Sequence, residues 1–127
     1  MKIIRFEGID SWKKARGLTK SVYMLTTQQK FSKDFGVRDQ IQRASVSIMS
    51  NIAEGFDAGS DKAFVNFLRY SYRSASEVQS LLYVALDCRY IDETDFRNCF
   101  AQASETKRMI GGFIKYLKRP KQKTIIS

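Results

Sequence analysis

The sequence predicts an all-α fold, specifically an antiparallel up-and-down four-helix bundle. Apolar residues recur at spacings of three and four in four successive segments, which is the spacing of one helix face. The links between these segments are short, as they are between antiparallel neighbours in a bundle. The one proline, Pro120, lies near the C-terminus, so the first 119 residues contain none to break a helix. A length of 127 residues with 43% hydrophobic content suits a single domain.

The first predicted helix begins at Asp10 or Ser11, both of which are favoured N-cap residues. The link that follows it, over residues 30–36, contains Phe31 and Phe35, and we expect both rings to pack back onto the bundle. The apolar stripe of this helix consists of Trp12, Ala15, Leu18, Val22 and Leu25.

The second predicted helix covers about residues 37–54. Gly55 follows it, at the position where helices commonly end in a left-handed residue. Its apolar stripe consists of Val37, Ile41, Ala44, Ile48 and Ile52.

The third predicted helix covers about residues 62–89 and is capped by Ser60 or Asp61. Its stripe alternates spacings of four and three, as a heptad pattern does. The stripe consists of Phe64, Leu68, Ser71, Ala75, Val78, Leu82 and Ala85.

The fourth predicted helix opens over residues 91–95, whose acidic side chains suit the positive end of the helix dipole. Gly111 and Gly112 interrupt this helix and predict close packing or a kink at that point, because glycine disfavours a helix interior. Its stripe consists of Phe96, Phe100, Ala103, Ile110, Phe113 and Leu117.

The domain organisation that we expect is one bundle over residues 1–119 and a flexible basic tail over residues 120–127. Residues 1–9 contain no long apolar run, and no stretch approaches the ~20 apolar residues of a membrane span. The two cysteines, Cys88 and Cys99, make a weak case for a disulfide. The sequence therefore predicts a cytoplasmic protein with reduced thiols and no membrane association.

Catalytic chemistry finds little support in the sequence. There is no histidine, which removes the commonest general base and metal ligand. Two separated cysteines cannot close a zinc site, and Gly55 and Gly59 lack the lysine and the spacing of a phosphate-binding loop. We expect no enzyme, no metal and no cofactor. The alternative left open is catalysis by Asp, Glu, Lys or Tyr alone, which would need a pocket with converging acidic groups.

The charge of +9 is unevenly distributed along the chain. Residues 1–30 contain seven basic and two acidic side chains, and residues 107–127 contain seven basic and no acidic ones. The first and last helices of an up-and-down bundle are neighbours, so these charges predict one patch that binds RNA or DNA phosphates without sequence preference. The alternative is a charge that serves solubility alone. The predicted nucleic-acid-binding residues are Lys13, Lys14, Arg16, Lys20, Lys107, Arg108, Lys115, Lys118 and Arg119.

A second candidate feature is a polar line on the second helix, within residues 40–55. Its members step by three or four and therefore share one face of a helix, beside the apolar stripe. One interpretation is a contact strip for a partner subunit or for phosphates. The other, favoured for Asn51 and Glu54, is that these side chains bond a neighbouring helix end and that the serines only provide packing room. The line consists of Gln40, Arg43, Ser47, Asn51 and Glu54, followed by Gly55.

The same region carries a family resemblance. The sequence is similar to the bacterial four-helix bundle proteins known from intervening sequences in 23S ribosomal RNA genes, and to the accessory variability proteins of diversity-generating retroelements. The resemblance covers about residues 6–119. The segments that carry it are Gln40-Ile41-x-Arg43-Ala44-x-x-Ser47-Ile48, Asn51-Ile52-Ala53-Glu54-Gly55-Phe56, Trp12-Lys13-Lys14-Ala15, and Phe31-x-x-x-Phe35-Gly36-Val37.

The resemblance implies a four-helix bundle that assembles into a ring-like homopentamer. It also implies a basic surface that binds nucleic acid and, in retroelement members, a reverse transcriptase as partner. It implies no catalytic residues. Asn51, Glu54 and Gly55 would mark the fold and its interface.

Overall fold

The structure is a computed structural model, and it describes residues 3–120. Residues 121–127 of the predicted basic tail therefore lie outside the described residues. A single 3-10 turn over Phe6–Gly8 precedes the helices. The helices are α1 (Asp10–Thr26), α2 (Gln29–Lys33), α3 (Phe35–Phe56), α4 (Asp61–Asp87) and α5 (Glu93–Lys118).

The four long helices form the predicted up-and-down bundle. Thr19 of α1 donates to the Ser45 carbonyl of α3, and Ser21 of α1 donates to Gln102 of α5. Just beyond the end of α1, Gln28 reaches Asp95, so α1 and α5 run antiparallel. In the contacts between α3 and α4, and between α4 and α5, residue numbers fall in one helix as they rise in the other, so these pairs are antiparallel too. Each long helix therefore packs against two neighbours in the order α1, α3, α4, α5.

The core lies between these four helices and is built from the predicted stripes. Leu18 of α1, Ile48 of α3, Leu68 and Leu82 of α4, and Ile110 of α5 have no exposed surface. Phe31 is also fully buried, as predicted, and its ring lies 5.4 Å from that of Tyr90. The prediction for Phe35 is wrong, because its side chain is 64% exposed and stacks with Arg38 instead.

The predicted N-cap residue is correct for α4 and wrong for α1. The Ser60 side chain accepts from the Ala63 amide at 3.1 Å and caps α4, as predicted. The expected cap of α1 by Asp10 or Ser11 is wrong: the N-cap residue is Ile9, without a side-chain bond, and Ser11 is buried. Asp34 caps α3, which begins at Phe35 rather than Val37 because the link also forms the short helix α2.

Gly55 departs from its predicted role. It lies inside α3 and not at a left-handed helix end, since the positive φ in this turn belongs to Gly59, at 86°. A Cβ on Gly55 would lie 2.6 Å from Cδ1 of Phe64 and 2.9 Å from Cβ of Phe67. The glycine therefore allows α4 to approach the backbone of α3 closely.

The end of α4 comes slightly earlier than predicted. Arg89 adopts φ 59°, and the Tyr90 amide donates to the Ala85 carbonyl at 2.8 Å. This is the hydrogen-bond pattern of a Schellman motif, here with an arginine in the left-handed position that usually holds glycine.

Gly111 and Gly112 also behave differently from the prediction. Helix α5 continues through both of them to Lys118. A Cβ on Gly111 would meet its nearest atom, Cε2 of Tyr72, at 4.0 Å, and one on Gly112 would meet nothing within 4 Å. The expected close packing is wrong, because alanine would fit at either position.

Within residues 3–120, no helix has the length and hydropathy needed to cross a membrane.

Candidate nucleic-acid interface

The basic residues of α1 have different near neighbours. Lys13 lies 4.0 Å from the carboxylate of Asp10, and the Arg16 guanidinium lies 5.9 Å from the centre of the Trp12 ring. Lys20 borders a groove between α1 and α3, together with Arg38.

Lys14 is the member of this group that approaches α5. The hydrogen bond from Arg108 is the main cause that lowers the pKa of Glu105. The charges of Arg108 and Lys14 lower it further. Arg108 binds both oxygens of Glu105 one turn away on α5. Arg108 is thus paired with a carboxylate of its own helix, and Lys14 acts on the same carboxylate through its charge alone.

Lys107 lies on the other side of α5. Its ammonium group donates to Oε1 of Gln79 at 3.2 Å and lies 4.9 Å from the centre of the Tyr72 ring, both on α4. Lys107 therefore does not lie in the predicted patch between α1 and α5.

The end of α5 carries three more predicted residues. Lys115 and Lys118 are exposed, and the Arg119 guanidinium lies 4.1 Å from the centre of the exposed Tyr116 ring. None of the three forms an ion pair with the other residues that the structure describes. These charges are available to an external anion.

The predicted residues are therefore brought together only in part. The α1 members have other neighbours, whereas Lys118 joins two cations that the prediction did not include. Lys62 and Arg69 of α4 line one groove of about 440 Å³ with Lys118, and neither forms an ion pair within residues 3–120. The remaining lining residues are Asp61, Val65, Asn66 and Leu117.

Lys62 and Arg69 had a usable signal in the sequence. They are seven residues apart and so lie on one face of α4, and the antiparallel pairing places the start of α4 beside the end of α5. The regional charge counts concealed them, because the middle of the chain is acidic as a whole.

The polar line of α3 faces α4. Ser47 and Ser74 share a hydrogen bond of 2.9 Å, and Gln40 donates to Glu77 at 3.2 Å. Asn51 donates to the carbonyl and to the hydroxyl of Ser47 within its own helix. Two of the five members thus join α3 to α4, and the serine forms a hydrogen bond besides giving room. The expectation that Asn51 bonds a neighbouring helix end is wrong, because its partner lies in its own helix.

Arg43 and Glu54 are the exceptions in this line. Both are exposed and form neither a hydrogen bond nor an ion pair within the described part of the chain. The expectation that Glu54 bonds a helix end is therefore wrong. Arg43 borders a groove of about 580 Å³ on this side of the bundle, with Gln40, Ser47 and Glu77.

Two sites contain titratable groups whose pKa values are shifted by their surroundings. Burial is the main cause that raises the pKa of the Cys99 thiol to about 12, so it stays protonated at neutral pH. Asp34 accepts a bond of 2.7 Å from the Tyr90 hydroxyl, which lowers the pKa of Asp34 and raises that of Tyr90 to about 12. Residues 3–120 contain no group of three or more Cys, Asp or Glu placed to hold a metal ion.

The family is decided by comparison with known sequences. The model described as "23S rRNA-intervening sequence protein" matches residues 7–112. The chain belongs to this family. The predicted resemblance is thereby confirmed for the ribosomal intervening-sequence proteins, and the relation to retroelement accessory proteins stays a prediction.

Solved structures support the fold. One from Bacteroides thetaiotaomicron is described as a protein with unknown function from the S23 ribosomal protein family. It is 23% identical, covers 83% of this chain and 98% of its own, and matches with a TM-score of 0.76. At this identity the match concerns the fold alone. No curated protein matches this sequence.

Proposed function

We propose that this protein is a non-enzymatic, homo-oligomeric bundle that binds the backbone of RNA or DNA. One observation carries the proposal: Lys62, Arg69 and Lys118 come from two helices, line one groove, and have no ion-pair partner within residues 3–120. A polyphosphate backbone that binds such a cluster would release the counterions condensed on it, and this release favours binding.

The exposed cations at the end of α5 extend this cluster. Lys115 and Arg119 lie within one turn of Lys118. The contacts are to phosphates rather than to base edges, so the proposal includes no sequence preference.

The homo-oligomer is the second part of the proposal, and the size that the family resemblance implies is a pentamer. Light scattering on the purified protein tests it. A mass of about five times 14.7 kDa supports it, and a monomer contradicts it.

An alternative function is that of an assembly adaptor that docks an acidic protein partner, such as a reverse transcriptase, with no direct nucleic-acid role. Arg43 favours a partner contact, because it is exposed, has no ion-pair partner within residues 3–120, and borders the α3–α4 groove. This alternative predicts a co-purifying protein and negligible affinity for RNA.

The nucleic-acid proposal is tested by binding of generic RNA and DNA at about 50 mM salt, where phosphate contacts are strong. Reversing the charge of Lys115, Lys118 and Arg119 should weaken binding to every sequence alike. The matched control reverses Lys30, Lys33 and Arg97, which are exposed at the opposite end of the bundle. Absence of binding by the unmodified protein contradicts the proposal.

A further inference from the structure

An exposed aromatic ring lies next to the basic groove. Tyr72 follows Arg69 by three residues on α4, so the two side chains are neighbours along that helix. The Tyr72 side chain is 39% exposed. Lys107 lies 4.9 Å from the centre of its ring and is held by Gln79. A ring and a cation are thus fixed together, one helical turn from the groove.

Helix α5, which lies opposite this ring, has two adjacent residues without side chains. Gly111 faces Tyr72, since a Cβ added to this glycine would lie 4.0 Å from the ring, and Gly112 has open space around it. Packing within residues 3–120 does not require either glycine, although both lower the stability of a helix. Glycines of this kind are used where a ligand comes close to the backbone.

These features together form what we call the α4/α5 surface, made up of Lys62, Arg69 and Tyr72 of α4 and Lys107, Gly111 and Lys118 of α5. It combines several cations with a partly exposed aromatic ring. Proteins that bind single-stranded nucleic acid use this combination, since every base has a face that stacks on an aromatic ring. In a duplex the bases are stacked on one another and cannot reach such a ring.

We propose that the α4/α5 surface binds single-stranded RNA or DNA, with an unpaired base stacked on Tyr72 and phosphates held by Lys62, Arg69 and Lys118. This inference rests on the proposed function and specifies its ligand. Charge complementarity favours this occupant, because the surface itself carries four cations, which a polyanion neutralises.

The first test measures fluorescence anisotropy with a mixed-sequence single strand of about 12 nucleotides, and with its duplex, at low salt. We expect Tyr72→Ala to weaken single-strand binding about 5- to 100-fold, which is the range for loss of one stacked base. Tyr72→Phe keeps the ring and should bind as the unmodified protein does. The matched control is Tyr70→Ala, because Tyr70 is also exposed on α4 and also carries a stacked cation, Arg73.

The second test uses a new side chain on α5 to cover the Tyr72 ring. A leucine in place of Gly111 should lie against Tyr72 and weaken single-strand binding, whereas Gly112→Leu should not. Both substitutions remove a glycine from the same helix, so they serve as each other's control for stability. Thermal melts of each variant show whether the fold is retained.

The outcomes separate this inference from the proposed function. If neither single strands nor duplexes bind, the proposed function itself is contradicted. If the duplex binds as tightly as the single strand, or if Tyr72→Ala has no effect while loss of Lys62, Arg69 and Lys118 does, the inference is overturned and backbone binding stands. Equal competition by poly-glutamate also overturns it, because an acidic peptide has no base to stack.

Discussion

Asp34 has two tasks at the junction of α2 and α3. One carboxylate oxygen accepts from the Val37 amide at 3.2 Å and caps α3, and the other accepts from the Tyr90 hydroxyl at 2.7 Å. The second bond ties the start of α3 to the loop between α4 and α5. The sequence offered no signal for this pair, because its members are 56 positions apart along the chain.

The pair makes stability depend on pH in two windows. The Tyr90 bond and the Val37 amide lower the pKa of Asp34, so its contribution is present above the ordinary carboxyl pKa and is lost as pH falls through the lower folded value. The pKa of Tyr90 is raised to about 12, so its contribution is complete below pH ~10 and is lost as pH rises through about 12.

The acid window gives a prediction for Asp34→Asn. The melting temperature of the unmodified protein should fall as pH is lowered from about 5 to 3, and the fall should be smaller in the variant, since the carboxylate that protonates is gone. Thermal melts at several pH values measure this. Asp57→Asn, at an exposed carboxylate, is the control and should keep the full fall; an equal fall in all three proteins contradicts the prediction.

At the scale of helices, the contact between α3 and α4 depends on small residues. Ser71 is fully buried and donates to the Ile48 carbonyl at 2.8 Å, and the Ser47–Ser74 bond lies one turn away. Gly55 then brings the two helices together at the turn. Residues 40–55, which first drew attention as a contact strip, thus act largely within the chain, apart from Arg43 and Glu54.

Two glycines in helices test this interpretation, because their surroundings differ. Gly55→Ala should destabilise the fold by roughly 1–3 kcal/mol, since its Cβ would lie 2.6 Å from Phe64. Gly112→Ala should stabilise it by about 1 kcal/mol, since alanine favours the helix and meets nothing within 4 Å. Denaturant unfolding measures both. Equal changes of the same sign would mean that Gly55 is not in close contact with α4.

The helices themselves could be predicted because their signals are local. Apolar spacing identified all four long helices, and Ser60 marked the start of α4. Roles that depend on tertiary contacts could not be predicted in this way. The difference between Gly55 and Gly111 depends on how near α4 lies, and the fate of Phe35 depends on the unforeseen helix α2.

For the whole molecule, adjacency of the first and last helices was predicted correctly, but two of the residues assigned to their shared patch lie towards α4 instead. Arg108 binds Glu105 on its own helix, while Lys107 and Lys118 lie towards α4. Regional charge counts show which segments are basic, but they do not show which side of a helix each lysine occupies. The groove between α4 and α5 consequently gathers three cations that have no ion-pair partner within residues 3–120.

The salt dependence of single-strand binding tests the nucleic-acid account most directly. The logarithm of affinity should fall linearly with the logarithm of salt concentration, with a slope of about −0.7 for each phosphate neutralised. Replacing Lys62, Arg69 and Lys118 by glutamine should reduce the steepness of that slope by about 2, whereas the same replacement of Lys30, Lys33 and Arg97 should leave it unchanged. An affinity that does not vary with salt, or no binding at about 50 mM salt, would contradict the account.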